Sequence, residues 1–247
     1  MSRLDLLVSD VRTLRSMARG IRKSSGGSEA DKLDRFYAPQ AEHYDRFRER
    51  LLRGRKELFD ELEWPDRAHV VELGGGTGRN IEYLGDRAAT IARYDLVDLC
   101  APLLDRARLR ALRFPMLRVH HGDAADWQPR SKPDVVIFSY SLTMMPDWRA
   151  ALSNAIAMLK PGGALAVVDF YVSSEQPAFG RQRHSAFDRW LWPRWFAHDG
   201  VRLDSEVLHS LCGWLPNHRV VESTSALPYL PMLRVPCYRF IGKTKPE

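Results

Sequence analysis

Residues 70–78 read Val-Val-Glu-Leu-Gly-Gly-Gly-Thr-Gly, an apolar strand pattern that runs directly into a turn of glycines. Because glycines lack a β-carbon, such a turn lets the backbone approach a ligand at the edge where open α/β sheets bind their ligands. The stretch departs from the dinucleotide fingerprint G-x-G-x-x-G, since counting from Gly74 puts Arg79 in the final position. It also lacks the Gly-Lys-Ser/Thr of a phosphate-binding P-loop.

Short apolar runs alternate with helical stretches on both sides of this turn, which predicts a parallel sheet with helices on both faces. The predicted strands are 69–73, 91–97, 117–121, 135–140 and 164–171, and the predicted helices are 31–61, 78–84, 103–112 and 148–159. The last third differs, since a predicted helix at 204–215 is followed by strands at 219–224 and 235–242, joined by a proline-marked loop. These two strands predict a hairpin added to the sheet edge.

The charge is concentrated at the N-terminus. The chain carries 37 Lys and Arg against 31 Asp and Glu, a formal charge of +6. Four of these charges lie in residues 1–23, where apolar residues recur at spacings of three and four and predict a basic amphipathic helix. Such a helix is expected to lie on an anionic membrane surface; the alternative is that it packs on its own domain.

Domain boundaries follow from composition. A Ser/Gly linker ends the N-terminal unit at residue 28, and residues 29–247 are predicted to form one domain with lid helices at 29–64 and an aromatic insertion at 172–200. No run of about 18 uncharged apolar residues predicts a membrane span. The three cysteines lie far apart, which disfavours a disulfide framework and a zinc site and indicates the reducing cytoplasm.

Two acids follow successive predicted strands. Asp98 comes directly after the second strand, and its carboxylate can accept the hydroxyl hydrogens of a ribose. Asp123 lies in Gly122-Asp123-Ala124 after the third strand, where it can accept from the exocyclic amine of an adenine. Each acid alone is also compatible with a helix cap or a solvated turn. Their succession at the carboxyl edge of one sheet, with the glycine turn, favours a nucleoside site.

The glycine turn, the two acids and Leu159-Lys160-Pro161-Gly162-Gly163 together resemble class I S-adenosylmethionine-dependent methyltransferases over roughly residues 65–242. The resemblance implies a Rossmann-like, seven-stranded, mostly parallel sheet whose last strand is antiparallel. It implies that S-adenosylmethionine is the cofactor, with the glycine turn at its methionine part, Asp98 at the ribose and Asp123 at the adenine. The predicted cofactor-binding residues are Tyr37, Tyr44, Arg48, Glu72, Gly74, Gly75, Gly76, Thr77, Asp98, Leu99, Asp123, Ala124 and Ser139.

A narrower resemblance concerns the methyl acceptor. The segments 43–48, 54–55, 138–144, 146–148, 169–170, 228–231, 234–236 and 238–240 are similar to betaine-lipid N-methyltransferases. Those enzymes trimethylate the amine of a diacylglyceryl-homoserine headgroup. The resemblance implies an amino-lipid substrate and an enzyme associated peripherally with the cytoplasmic face of the membrane.

Tyrosines are the expected acceptor residues, because their rings stabilise methylated ammonium and their hydroxyls can orient an amine. Tyr37, Tyr44 and Tyr140 are predicted to form the lid and wall of the acceptor site, and Asp169 and Tyr171 to contact the acceptor. Tyr44, Tyr140 and Asp169 are the candidate catalytic residues. Arg48 is a candidate partner for a cofactor or headgroup carboxylate. Core packing or structural ion pairs are the alternatives for each.

Other signals are weaker. His43, His121 and His184 are candidate bases, and no histidine or cysteine spacing predicts a metal site. The segment 190–196, which contains three tryptophans, is read as a lipid-facing patch, a cover of the substrate cavity, or an insertion packed on the core. Nucleic acid is not expected as a partner. Methylation of another amino lipid (an ornithine lipid or phosphatidylethanolamine) or of a soluble amine remains open, as does a non-catalytic S-adenosylmethionine-binding protein.

Overall fold

The computed structural model describes residues 28–37, 51–197, 200–227 and 230–246. Across these residues, seven strands form one sheet in the order β3-β2-β1-β4-β5-β7-β6. The first five strands pair in parallel, β7 runs antiparallel to β5, and β6 runs antiparallel to β7. The predicted Rossmann-like fold with an antiparallel end is therefore confirmed.

The strands are β1 (Ala68–Leu73), β2 (Ile91–Asp98), β3 (Leu117–His121), β4 (Val135–Ser139), β5 (Ala164–Phe170), β6 (His218–Leu227) and β7 (Leu230–Lys243). The α-helices are α1 (Glu29–Tyr37), α2 (Arg55–Glu61), α3 (Ala101–Ala111), α4 (Trp148–Met158), α5 (Ala186–Ala197) and α6 (Glu206–Trp214), and 3₁₀ segments span Arg79–Thr90 and Leu142–Met144. Among the described residues, no helix is long and apolar enough to span a bilayer.

Buried side chains form a core on each side of the sheet. One face of the sheet carries a cluster that takes in Leu58 and Phe59 of α2 and Trp192 and Phe196 of α5. The opposite face carries a second cluster to which α4 and α6 contribute. Because β1 and β5 are buried along their whole length, they are mostly apolar and lack the alternation of a half-exposed strand.

The connection after β1 differs from its prediction. The expected helix at 78–84 is a 3₁₀ segment that runs to Thr90 and is interrupted at Gly85, whose φ of 55° and ψ of −131° are not helical. It begins at Gly78 in the left-handed conformation, and the Ile81 amide donates to the Gly78 carbonyl with the three-residue spacing of a 3₁₀ turn. The predicted helix over 31–61 corresponds to α1 and α2, and residues 38–50 between them lie outside the described residues.

The terminal hairpin is longer than predicted. Ser225 pairs with Val235 and Leu227 pairs with Leu230, so most of the expected loop belongs to the two strands. The loop was predicted from the prolines between the two strands, because proline lacks the N–H that a central strand needs, yet Pro231 belongs to β7. Here β7 has already passed the end of β5, whose last pair is Phe170 with Cys237, and proline is tolerated in such edge positions.

Candidate functional site

A pocket of about 220 Å³ opens at the carboxyl ends of β1, β2 and β4. We call it the glycine-loop pocket. It is lined by Leu33, Tyr37, Gly74, Gly76, Asp98, Leu99, Cys100, Leu103, Gly122, Asp123, Ala124, Ala125, Tyr140, Ser141, Met144, Met145, Pro146, Asp147 and Ala151. This is the edge at which the sequence predicted the ligand to bind.

The glycine loop requires glycine for two reasons. Gly74 has a φ of 72°, and a β-carbon there would lie 2.5 Å from Cβ of Ser141. Gly76 also has a positive φ, of 56°. The amides of Gly74 and Gly75 donate to the Val97 carbonyl at 2.8 and 3.2 Å, which fixes the loop against the end of β2. The backbone is therefore held at the pocket wall with no side chain between it and a ligand.

Asp98 ends β2 and links this strand to the glycine loop and to the start of α3. Its Oδ2 accepts from the Gly76 amide and its Oδ1 accepts from the Cys100 amide, both at 2.8 Å. Burial raises the pKa of Asp98, although these backbone N–H groups lower it. Because an ionised carboxylate has about four lone-pair sites, it keeps acceptor capacity for a ligand beyond these backbone bonds.

An apolar slot continues from this acid. Leu99, Ala124 and Met144 line it, and Asp123 lies beside them with its Oδ1 accepting from the Ala125 amide at 2.9 Å. Leu33 and Tyr37 of α1 close one side of the pocket. Helix α1 is fastened there by Asp34, whose Oδ1 accepts from the Ala101 amide at 2.9 Å.

A second, narrower cleft lies on the other side of the glycine loop, and we call it the arginine cleft. It is lined by Leu52, Arg55, Gly74, Gly75, Gly76, Thr77, Arg79, Asn80, Ser139 and Tyr140. Five of the predicted cofactor residues line it, namely Gly74, Gly75, Gly76, Thr77 and Ser139. Gly74 and Gly76 therefore face both cavities.

Arg55, which sequence reasoning missed, carries a free donor in this cleft. It is 7% exposed, its Nε donates to the Leu52 carbonyl at 3.0 Å, and its Nη1 donates to Asn80 Oδ1 at 3.3 Å. Within the part of the chain that the structure describes, its Nη2 is buried without a hydrogen-bond partner, as is Oγ of Ser139. A buried unpaired guanidinium donor is costly, which indicates that the cleft is built to receive an acceptor. The only sequence signal was the pair Gly54-Arg55 within the acceptor resemblance.

Glu72, a predicted cofactor residue, does not line either cavity. It is fully buried beneath the glycine loop and accepts from Nδ2 of Asn80 at 2.5 Å and from the Tyr94 hydroxyl at 2.8 Å. Burial raises its pKa to about 7. The side chain supports the loop from below, and through Asn80 it is linked to Arg55.

Tyr140 lies where it was predicted, at the pocket wall, but as the residue after β4 and with its hydroxyl engaged. Its φ of 55° is unusual for a residue with a β-carbon. The hydroxyl donates to the Arg53 carbonyl at 2.5 Å, and burial raises its pKa well above the ordinary value. The side chain lines the pocket, while its hydroxyl is held between the Arg53 carbonyl and the Cys237 thiol.

Asp169 and Tyr171 do not line the glycine-loop pocket. Asp169 is fully buried and accepts from Oγ1 and the amide of Thr143, at 2.8 and 3.2 Å, and from the Phe170 amide at 2.8 Å. It thereby holds the 3₁₀ turn Leu142–Met144 in place. The last residue of this turn, Met144, and the following Met145 line the pocket. The Tyr171 hydroxyl donates to Oε1 of Glu222 at 2.6 Å, in a separate polar cavity.

Several predicted residues are not brought together. His184 accepts from the Ser173 amide through Nδ1 at 2.9 Å, and burial lowers its pKa. His121 contacts the Leu99 carbonyl at 3.0 Å, and among the described residues no histidine lines the pocket. Tyr44, Arg48, His43 and the N-terminal segment 1–23 lie outside the described residues.

The charges of the glycine-loop pocket are negative. Among the described residues that line it, the charged side chains are Asp98, Asp123 and Asp147. The nearby cations Arg55 and Arg79 line the arginine cleft. The pocket is thus complementary to a cation, and the cleft beside it to an anion.

Comparisons with known proteins agree with this geometry. Residues 42–216 match the model of a family described as "Methyltransferase domain". The trans-aconitate 2-methyltransferase of Variovorax paradoxus is 33% identical over 125 residues, 50% of this chain and 47% of that protein. The 2-phytyl-1,4-naphtoquinone methyltransferase of Thermosynechococcus vestitus is 30% identical over 176 residues, 67% of this chain and 75% of that protein. The chain spans about half the length of the trans-aconitate relatives it matches.

Solved structures with the same fold include two methyltransferases. Phosphoethanolamine N-methyltransferase 2 of Haemonchus contortus, in complex with phosphomonomethylethanolamine and S-adenosylhomocysteine, superposes with a TM-score of 0.69 at 14% identity, covering 90% of this chain and 61% of that one. A SAM-dependent methyltransferase of Aquifex aeolicus superposes with a TM-score of 0.55 at 14% identity, covering 83% and 97%. At these identities the likeness concerns the fold.

Proposed function

The chain belongs to the methyltransferase domain family, and from that premise we propose that it is an S-adenosylmethionine-dependent N-methyltransferase acting on the amino headgroup of a membrane lipid. The acceptor proposed first is diacylglyceryl-homoserine, which would become its trimethylated betaine lipid. The observation that carries N-methylation is the lining of the glycine-loop pocket, where Asp147 is the described charged residue not assigned to the cofactor and Tyr140 lies at the same wall.

The residues present fit the cofactor. Asp98 keeps acceptor capacity for a ribose hydroxyl, and the slot lined by Leu99, Ala124 and Met144 suits the flat apolar faces of an adenine. Asp123 lies at this slot for the exocyclic amine. On the other side of the glycine loop, the free Nη2 of Arg55 would hold the carboxylate of the methionine part. When bound, the cofactor supplies a methyl group activated on a sulfonium.

The acidic pocket favours an amine over a carboxylate as acceptor. A carboxylate at the wall that the cofactor does not use, such as Asp147, attracts an ammonium and stabilises the cationic, methylated product, whereas it repels a carboxylate substrate. The ring of Tyr140 lies at the same wall and can stabilise the product by cation–π attraction. The amine must lose its proton before each transfer because an ammonium has no lone pair. Once the neutral amine is bound, its alignment with the methyl group supplies much of the rate acceleration.

A lipid acceptor is supported by the similarity of the chain to betaine-lipid N-methyltransferases, and by aromatic side chains that α5 exposes to solvent. The solved phosphoethanolamine N-methyltransferase, which shares the fold, is in complex with phosphomonomethylethanolamine. Phosphatidylethanolamine, an ornithine lipid and a soluble amine are the alternatives within the same chemistry.

Methylation of a carboxylic acid is the second candidate function, because relatives about 30–33% identical over half the chain are trans-aconitate methyltransferases. It requires a cation at the acceptor. The described cations nearest the glycine loop line the arginine cleft, where the cofactor carboxylate is proposed to bind. Because the glycine-loop pocket is acidic, methylation of a carboxylic acid is the second candidate.

A labelling assay tests the proposal. The full chain is incubated with methyl-labelled S-adenosylmethionine and, in parallel, with dispersed diacylglyceryl-homoserine, phosphatidylethanolamine, a soluble primary amine and trans-aconitate. We expect label in a quaternary-amine lipid, and none after the substitution Asp98→Ala; the matched control is Asp105→Ala, an exposed acid on α3. Label in trans-aconitate alone would replace the proposal by the second candidate. Cofactor binding without transfer to any acceptor would leave a non-catalytic binding protein.

A further inference from the structure

Helix α5 has two aromatic faces with opposite environments. On its inner face Trp192 and Phe196 are 1% and 5% exposed and pack in the core. On its outer face Phe187 and Trp190 are 59% and 53% exposed. The helix therefore exposes two large rings that do not pack in the core of the domain.

Contacts among the outer residues organise this surface. The rings of Phe187 and Trp190 lie 6.2 Å apart, and the guanidinium of Arg194 lies 5.0 Å from the centroid of the Trp190 ring. Nη1 of Arg194 also donates to the Trp190 carbonyl at 3.0 Å. The three residues follow helical spacings of three and four, so they share one face. We call them the aromatic face of α5.

The surrounding charge is positive. Residues 183–195 contain three arginines (Arg183, Arg189 and Arg194) and one acid, Asp188, while Arg181 just before them is paired with Glu222. The Asp188 carboxylate accepts from the Ser185 hydroxyl and from Nε1 of Trp192, so it is used inside the segment. Arginine beside exposed tryptophan and phenylalanine is the composition of surfaces that lie in the headgroup region of a bilayer.

We propose that the aromatic face of α5 docks the protein on an anionic lipid bilayer, with the two rings among the headgroups and Arg194 at lipid phosphate. Tryptophan is suited to this position because its ring is apolar while its N–H stays hydrated. The charge complementarity of the arginines with lipid phosphate favours a bilayer over an apolar protein groove. The biological purpose of this docking rests on the proposed lipid substrate, but the docking itself does not.

Docking at α5 brings the membrane close to the reaction site. The ring of Phe196 stacks on Phe170 at 4.9 Å, and Phe170 contacts Tyr140 at 4.6 Å. Tyr140 lines the glycine-loop pocket. A lipid headgroup at the outer face of α5 is thus separated from the pocket wall by the helix and two successive ring contacts.

Vesicle co-sedimentation of the full chain tests this proposal, with vesicles of mixed phosphatidylglycerol and phosphatidylcholine. We expect Phe187→Ser with Trp190→Ser to weaken binding at least ~10-fold, because two interfacial rings are lost. Arg194→Gln should weaken it about 5-fold, the effect of one cation at an anionic surface. The matched control is Trp214→Ser, which removes a tryptophan of similar exposure, 43%, from α6 and should leave binding unchanged.

The outcomes separate docking from function. If the double variant binds vesicles as tightly as the unsubstituted chain, or if the unsubstituted chain does not bind, the docking proposal is wrong. Thermal unfolding of each variant checks that the fold is kept. Methylation of a water-soluble amine in the absence of vesicles should be the same in the double variant and the control. A chain that docks through α5 yet methylates no lipid would overturn the proposed function and leave the docking surface in place.

Discussion

The Gly76 amide donates to the Asp98 carboxylate at 2.8 Å, so the acid that ends β2 is fastened to the loop that follows β1. The same carboxylate accepts from the Cys100 amide at the start of α3. One side chain thus sets the distance between the glycine loop and the slot assigned to the adenine. Its loss should loosen the pocket as well as remove a ligand contact.

We therefore expect Asp98→Ala to weaken the binding of S-adenosylhomocysteine by about 10- to 100-fold, since two bonds to a charged acceptor are removed. Isothermal titration calorimetry measures the change. Asp105→Ala, which removes an exposed carboxylate paired with Arg108 on the next element, should leave the affinity as it is. Equal affinities for the two variants would contradict the assignment of Asp98 to the ribose.

Arg55→Gln should weaken the binding of ligands that carry the amino-acid carboxylate and spare those that lack it. The expected loss for S-adenosylhomocysteine is about tenfold or more, the value of a charge-assisted hydrogen bond. 5′-Methylthioadenosine has no carboxylate and should bind Arg55→Gln and the unsubstituted chain alike. Lys56→Gln, on the exposed side of the same helix, is the control. An equal loss for both ligands would mean that Arg55 acts by supporting Asn80 and the loop.

Most of the fold could be predicted from the sequence because β-α alternation and a glycine turn leave few arrangements of a parallel sheet. The acids Asp98 and Asp123 could be placed because parallel strands bring their carboxyl ends to one edge. The side-chain direction of Asp169 could not be predicted. Strand β5 is buried on both faces, so no alternation of polarity marks the face that each residue occupies.

Arg55 was missed for a different reason. Its importance comes from an unpaired donor in a cleft that forms only when α2 packs against the 3₁₀ segment and the glycine loop. Local sequence shows an arginine at the start of a short helix, which is ordinarily a solvated position. The aromatic insertion was ambiguous for the same reason, since buried and exposed rings alternate within one helix and sequence alone does not show which rings face the core.

Gly74→Ala should be strongly destabilising, by about 3 kcal/mol or more, because a β-carbon would meet Ser141 Cβ at 2.5 Å in a left-handed backbone. Gly213→Ala in α6 is the matched control, since nothing lies within 4 Å of its β-carbon. That change should raise stability by at most about 1 kcal/mol, as alanine favours a helix. Urea unfolding followed by circular dichroism gives both values. Similar stabilities for the two variants would show that the loop can rearrange around Ser141.

Asp169 should make the stability of the protein fall as pH rises from about 4 to 7. Burial raises its pKa from 3.8 to about 7. In that interval the folded chain keeps the proton while the unfolded chain releases it, so ionisation favours unfolding. Asp169→Asn has no proton to release, and its free energy of unfolding relative to the unsubstituted chain should therefore increase with pH, by at most about 4 kcal/mol.

Urea unfolding at several pH values between 4 and 8 measures this difference. Glu72, whose pKa burial also raises to about 7, contributes the same pH dependence to both proteins and cancels when they are subtracted. Asp105→Asn, at an exposed site, should give a difference that does not change over the range. A constant difference for Asp169→Asn would mean that the hydrogen bonds from Thr143 and Phe170 offset the cost of burying the charge. Asp169 would then hold the 3₁₀ turn beside the pocket as a carboxylate throughout this pH range.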